Sequence, residues 1–293
     1  MPELPEVETI ARGLNQRISR DVIESIWLGE KPEPLKSPAP EIAAAVEHTR
    51  ILAVRRVGKH IVFDLDRVEW APSPAKRRKY KTPRPESHRK DFSPRSQFIV
   101  HLGMSGRLQV CDPQSEIVKH THAIAKLSSG RELRFVDPRR FGRLSVAASG
   151  NFAAAGIEPL EADLEHFIPL FRNRKTPIKS ALLNQKLLRG VGNIYADESL
   201  FRAKIRPRRR ASTLTRDQLA KLFSSIQKVL REAITAGGSS ISDYVDSNGE
   251  EGFFQFKHRV YGREDKPCLV CKTPIKRIVI GGRSSHYCPE CQK

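Results

Sequence analysis

The chain predicts an α+β protein: an N-terminal antiparallel β-sandwich with a leading helix, then a helical region, then a closing zinc-pinned β-hairpin. Three observations predict it. Apolar residues alternate with a period of two in short runs between residues 60 and 136, and helical spacing takes over beyond Gly156-Ile157-Glu158-Pro159. Four cysteines then close the chain as C-x2-C-x16-C-x2-C. At 293 residues the length exceeds a usual single core, so two domains and a small appendage are expected.

The elements follow in order. Val7, Ile10, Ala11 and Leu14 stand at helical spacing over residues 5–14, and Pro5 suits a first turn. Strands are expected over 60–65, 97–102, 107–110, 122–127 and 132–136, with Gly103-Met104-Ser105-Gly106 and Ser128-Ser129-Gly130 as intervening loops. Cys111 ends an apolar run and reads as a small core residue. Residues 71–95 do not share this pattern. Nine Lys or Arg, two acids and five prolines make a +7 insertion that cannot fold alone. Helices are expected over 182–188, 194–201 and 214–234. The resulting division is a domain over 1–155, a linker over 156–166, a helical domain over 167–258 and a four-cysteine unit over 259–293.

Cys268, Cys271, Cys288 and Cys291 form two close thiol pairs, the set for one tetrahedral structural Zn2+. Between them, residues 275–280 and 283–287 read as strands joined by Gly281-Gly282, so the hairpin presents Arg283 just past its tip. A purely structural zinc ribbon with a solvated arginine fits the same residues.

The formal net charge is +19 and the pI about 10.0. Without residues 71–95 the chain still carries +12. Such a balance points to a polyanion, nucleic acid first, although charge alone also admits acidic proteins or anionic membrane surfaces. No apolar run reaches membrane-spanning length and the N-terminus is acidic, so a soluble intracellular protein with reduced thiols is expected.

Removal of Met1 would leave Pro2 with a free secondary amine. An α-amino group of pKa near 8 is roughly one-tenth neutral at pH 7, and the positive end of a helix dipole favours the neutral, nucleophilic form. Glu3 and Glu6 offer carboxylates beside it for proton transfer. The same residues also suit an ordinary acidic helix start. Gly190-Val191-Gly192-Asn193 places a glycine turn and an Asn cap before a helix, either a phosphate-binding terminus or a simple interhelical joint. Asp137-Pro138-Arg139-Arg140-Phe141-Gly142 joins a turn, two guanidinium groups and an aromatic. It is either a wedge for the base stack or a basic turn with one anchoring Phe.

Together with the cysteines, Met-Pro-Glu-Leu-Pro-Glu-Val-Glu-Thr at 1–9, His-Leu-Gly-Met-Ser-Gly at 101–106, the 137–142 loop, Gly-Val-Gly-Asn-Ile-Tyr-Ala-Asp-Glu at 190–198 and Val-Tyr-Gly-Arg at 260–263 make the chain similar to bacterial formamidopyrimidine-DNA glycosylases. The resemblance spans nearly the whole length outside the insertion. It implies a helix–two-turn–helix fold for the helical domain and a bifunctional glycosylase and abasic-site lyase that removes oxidised purines such as 8-oxoguanine from double-stranded DNA. It also implies residue roles. Pro2 would be the nucleophile, Glu3 the proton shuttle, Glu6 a holder of the extruded nucleotide, and Lys59 a contact to the lesion phosphates. Met104, Arg139 and Phe141 would fill the gap left by the flipped base, with Arg139 facing the orphaned cytosine. His101, Asn193, Tyr261 and Arg283 would grip the kinked backbone, Lys179 would assist oxidised-purine recognition, and residues 239–252 would close over the lesion. A monomer in the bacterial cytoplasm, associated with the nucleoid, is expected. Two rivals are an endonuclease VIII-like enzyme for oxidised pyrimidines, opposed by Leu4 and the 137–141 loop, and a non-catalytic DNA-binding module built on the zinc ribbon.

Overall fold

A computed structural model describes residues 1–68, 96–147, 152–241 and 244–293, so the insertion at 71–95 lies outside the described residues. The leading helix α1 (Leu4–Ile18) begins at Pro5's turn, where the Glu6 carboxylate accepts the Glu3 N–H at 2.8 Å. Its Val7, Ile10, Ala11, Leu14 and Ile18 are buried against the sandwich core.

The N-terminal strands are β1 (Val22–Leu28), β2 (Thr49–Val57), β3 (His60–Arg67), β4 (Ser96–His101), β5 (Arg107–Cys111), β6 (Thr121–Leu127), β7 (Glu132–Val136) and β8 (Arg143–Ala147), with α2 (Ala39–Val46) between β1 and β2. Their hydrogen-bonded order is β5-β7-β6-β1-β2-β3-β4-β8, antiparallel throughout. Among the described residues, two residue pairs, Val22–Arg50 and Ile23–Thr49, join the two four-stranded halves. The halves therefore act as two leaves around one core, with Phe63, Phe98 and Val100 from one and Leu108, Leu133 and Phe135 from the other.

The five expected strands are present. Sequence periodicity did not single out β1, β2, β8 or α2. β1 and β8 bury only one residue each, leaving little alternation to read, and α2 is short, with prolines at 38 and 40.

The second domain comprises α3 (Leu164–Phe167), α4 (Ile178–Leu182), α5 (Asn193–Arg202) and α6 (Arg216–Thr235) around its own apolar cluster. The helix expected at 182–188 is corrected: helix ends at Leu182 and a turn follows. There the Asn184 side chain accepts the Lys186 N–H at 3.0 Å, a local bond that competes with helix continuation, and Leu188 bridges to Ile157. Leu4 of α1 packs into this second core, and its N–H donates to the Gly190 carbonyl at 3.0 Å. Arg56 adds an ionic tie, pairing with Glu8 at 2.7 Å and Glu158 at 2.8 Å, while Glu158 also meets Arg189 at 2.9 Å. The first turn of α1 is thus held by both domains.

Strands β9 (Lys276–Ile280) and β10 (Arg283–Tyr287) form the closing hairpin. Gly281 and Gly282, at φ 55° and 73°, both occupy the left-handed region that a tight two-residue turn requires. No described helix is long and apolar enough to cross a membrane.

Candidate active site and nucleic-acid interface

A cavity of about 560 Å³ opens where the two domains and the hairpin meet. Pro2, Glu3 and Glu6 come to it from the start of α1, Lys59 from the β2–β3 turn, and Met104 from the loop after β4. Asn193 comes from α5, and Tyr261 and Arg283 complete the opposite wall. Eight residues singled out from distant parts of the sequence thus share one space.

The Glu3 carboxylate is buried on the N-terminus of α5, accepting the N–H of Ile194 at 3.1 Å and of Tyr195 at 3.5 Å. Of the two readings of residues 190–194, a phosphate-binding terminus or an interhelical joint, the structure shows the Ile194 and Tyr195 amides taken by an internal anion. Gly192, not Asn193, is the capping residue, and any Cβ on Gly192 would overlap the Glu3 carboxyl group. Burial raises the Glu3 pKa, offset in part by Lys59 and the two amides.

Glu6 is also buried. It accepts from the Tyr195 hydroxyl, from Glu3 N–H at 2.8 Å and from Ser239 N–H at 2.9 Å. Burial and the adjacent Glu3 lift its pKa to about 7. The Lys59 amine, 8 % exposed, is pushed below its ordinary value by burial, with Glu3 and Glu6 opposing that shift. Two carboxyls and one amine with displaced proton affinities therefore line one wall, a set suited to moving protons near neutral pH.

His101 stands behind this wall. Burial, then His60 and Lys59, drop its pKa to about 4, and its neutral Nδ1 accepts the Gly103 N–H at 3.1 Å. The loops carrying Met104 and Arg139–Phe141 are latched together: the Asp137 carboxylate accepts Ser105 Oγ at 2.6 Å and Gly142 N–H at 2.7 Å. Gly103, at φ 65°, lies so close to Phe141 and Gly142 that a Cβ would fall 2.5 Å from their backbone. Beyond the latch Arg139 stacks on the Phe141 ring at 5.1 Å, and Phe141 is 47 % exposed.

Lys179 is not brought to the cavity. It is fully buried, paired with Asp197 at 2.7 Å and donating to the Ser284 carbonyl at 2.6 Å. Asp197 also accepts Ser285 Oγ at 2.9 Å and His286 N–H at 2.8 Å, so the pair seats the hairpin that carries Arg283. Next to it, Glu198 accepts the N–H groups of Arg259, Val260 and Tyr261 at 2.9–3.0 Å and fixes Tyr261. Sequence reasoning included Tyr195, Asp197 and Glu198 in the 190–198 motif and Ser239 in the 239–252 loop, but gave none of them a role of its own. Two adjacent acids inside an otherwise apolar helical stretch were the available signal, since such acids are rarely buried without partners.

The Sγ atoms of Cys268, Cys271, Cys288 and Cys291 lie within 4.8 Å of one another, all as free thiols. Separations of 3.4 Å for Cys271–Cys288 and 3.9 Å for Cys268–Cys291 bracket the edge of about 3.8 Å of a tetrahedron with Zn–S bonds near 2.3 Å. The residues fit one structural zinc.

Comparisons with known proteins agree with this geometry. The sequence matches the formamidopyrimidine-DNA glycosylase N-terminal domain over residues 1–144, the formamidopyrimidine-DNA glycosylase H2TH domain over 155–245, and the zinc finger found in FPG and IleRS over 265–293. It is 42 % identical to the formamidopyrimidine-DNA glycosylase of Solibacter usitatus, with the whole of both chains covered. Among solved structures it is similar to the MutM (Fpg) protein of Thermus thermophilus, with TM-score 0.80, 36 % identity, and coverage of 99 % of this chain and 98 % of that one. A Lactococcus lactis FPG mutant in complex with Fapy-dG-containing DNA gives TM-score 0.85 at 30 % identity, with both chains fully covered.

Proposed function

Because the chain belongs to the formamidopyrimidine-DNA glycosylase family, we propose that it is a base-excision-repair DNA glycosylase that removes oxidised purines through its N-terminal proline and then cleaves the abasic strand. The observation that carries this is the meeting of Pro2, Glu3, Glu6 and Lys59 in one cavity walled by both domains. The relative crystallised with Fapy-dG supports a purine lesion as substrate.

A base inside the duplex hides C1′, so the nucleotide must leave the stack before attack. Phe141 and Met104 are the apolar groups placed to fill the gap, and Arg139, stacked on Phe141, reads the orphaned base. With Met1 removed, the Pro2 nitrogen lone pair attacks C1′ as the C1′–base bond breaks and the base departs protonated. Glu3, its proton affinity raised by burial, relays the proton. The attached nitrogen gives up its proton, which Glu3 passes to O4′ as the C1′–O4′ bond opens, and the cationic iminium that results acidifies C2′. Loss of that proton expels the 3′ phosphate, and a second elimination expels the 5′ phosphate. Lys59, Asn193, Tyr261 and Arg283 hold phosphates around the lesion, and His101 supports the Lys59 wall from behind. Lys179 serves recognition indirectly, by seating the hairpin. When bound, zinc supplies only a brace for that hairpin.

Borohydride reduction during turnover on an 8-oxoguanine duplex tests this. Protein lacking Met1 becomes covalently attached to DNA, and protein retaining Met1 does not. Equal trapping of both forms would exclude the terminal amine. Faster excision of thymine glycol than of 8-oxoguanine would favour the pyrimidine rival.

A further inference from the structure

Ser239 and Tyr244 line the cavity, and the chain that continues from Tyr244 does not run free into solvent. Residues 246–250 make a compact turn: the Asp246 carboxylate accepts the N–H groups of Asn248 at 2.7 Å and Glu250 at 3.0 Å, and Asp246 N–H donates to the Glu250 carbonyl at 2.8 Å. This turn sits on the C-terminal half of α1, well away from the catalytic residues at its start. Arg17 Nη1 donates to the Ser247 carbonyl and to Asn248 Oδ1, both at 2.9 Å, while its Nη2 donates to the Val110 carbonyl of β5 at 3.2 Å. One turn earlier Gly13 leaves a notch into which the Ser247 side chain fits, and a Cβ at Gly13 would overlap Ser247 Oγ.

We propose that Arg17, with the Gly13 notch, is a positioning residue that fastens the 246–250 turn to α1 and so fixes the Tyr244 face of the cavity. The inference rests on the proposed glycosylase activity. A single helix then sets both halves of the site. Pro2 and Glu3 lead into its first turn, which carries Glu6, and its last turns hold the wall that the extruded base must meet. At the near end the wall is tied by Ser239 N–H to Glu6, and Ser240 Oγ donates to the Tyr244 carbonyl at 2.9 Å and accepts Gly252 N–H at 2.9 Å. The Ser240 bonds are local, and the Ser239 bond reaches only the first turn of α1. Arg17 is the charged link from the turn to the sandwich, so its loss should loosen the base-facing wall while leaving the start of α1 in place.

The distinction is measurable because an abasic duplex has no damaged base to seat. In Arg17→Met, single-turnover excision from an 8-oxoguanine duplex should fall about tenfold, the scale of losing one charge-assisted hydrogen bond. Cleavage of a duplex that already contains an abasic site should stay within about twofold. Arg17→Lys, which keeps a donor for the Ser247 carbonyl, should recover part of the loss. Gly13→Leu should reproduce the defect by filling the notch, and backbone amide exchange over residues 245–252 should accelerate in both Arg17→Met and Gly13→Leu. Equal losses on the two duplexes would overturn the proposal, as would unchanged base excision despite faster exchange. If the unmodified chain cleaves neither duplex, the proposed function fails instead. Amide exchange then decides the latch alone, and unchanged exchange in both variants would overturn it.

Discussion

Two buried lysines, Lys179 and Lys59, teach opposite lessons. Burial lowers the proton affinity of both amines. Lys179 is sealed: neither it nor Asp197 reaches solvent, they meet at 2.7 Å, and the remaining hydrogen-bonding capacity of both goes to the hairpin backbone and Ser285. Lys59 faces the cavity, feels Glu3 and Glu6 electrostatically, and among the described residues makes no ion pair within 4.0 Å. A closed pair has nowhere to send its proton, so it acts as architecture. An open amine beside two carboxyls of raised proton affinity can exchange charge with whatever enters.

The strongest way to break the closed cluster is to remove the zinc beneath it. Cys288→Ser should abolish stoichiometric zinc in the purified protein and unfold the hairpin, since structural zinc supplies about 10 kcal/mol or more to small domains of this kind. Lys179 then loses its Ser284 acceptor. Duplex affinity should collapse while the sandwich keeps its own thermal transition, and zinc content equal to that of the parent would refute four-cysteine ligation.

Exchanging the lysines one at a time sharpens the contrast. Lys179→Met leaves Asp197 charged and buried, which should destabilise the fold by about 3–5 kcal/mol in denaturant titrations. Lys59→Met removes an amine that has no close partner, so stability should hold while excision falls by about 10–10²-fold, the scale of losing one charged hydrogen bond to a phosphate. Equal stability losses in the two variants would erase the distinction between closed and open clusters.

The smallest effect is a pH dependence of the open cluster. Glu6 rises from its ordinary 4.5 to about 7 in the folded protein, so over that window the native state holds a proton that the unfolded chain has released. Its contribution to stability is complete below about pH 4.5 and is lost as pH rises through 7, about 3 kcal/mol in all. Glu6→Gln should flatten that part of the curve, measured as denaturation midpoints at pH 5 and pH 8. An unchanged slope would place the raised affinity elsewhere.

How far these features could be read in advance depended on the range of the forces behind them. The alternating strands from β3 to β7, helix α6 and the glycine-turned hairpin were legible, because each depends on neighbours a few residues away. The edge strand β8 and the half-exposed β1 were not, since their stability comes from partners far along the chain. At the site the motifs located Pro2, Glu3 and Lys59, yet Glu3's seat on α5 joins residues 191 positions apart, and no local pattern reports that.

By itself the sequence determined the fold class, the zinc ligands and the polyanion-seeking charge, because residue chemistry and short-range periodicity are properties of the chain. Tertiary structure alone decided that two amides of α5 receive Glu3, and that Lys179 braces the hairpin while Lys59 lines the cavity. The physical reason is that proton affinity and accessibility are set by desolvation and by charges brought near through folding. Two lysines identical on paper therefore differ only once the surfaces around them have closed.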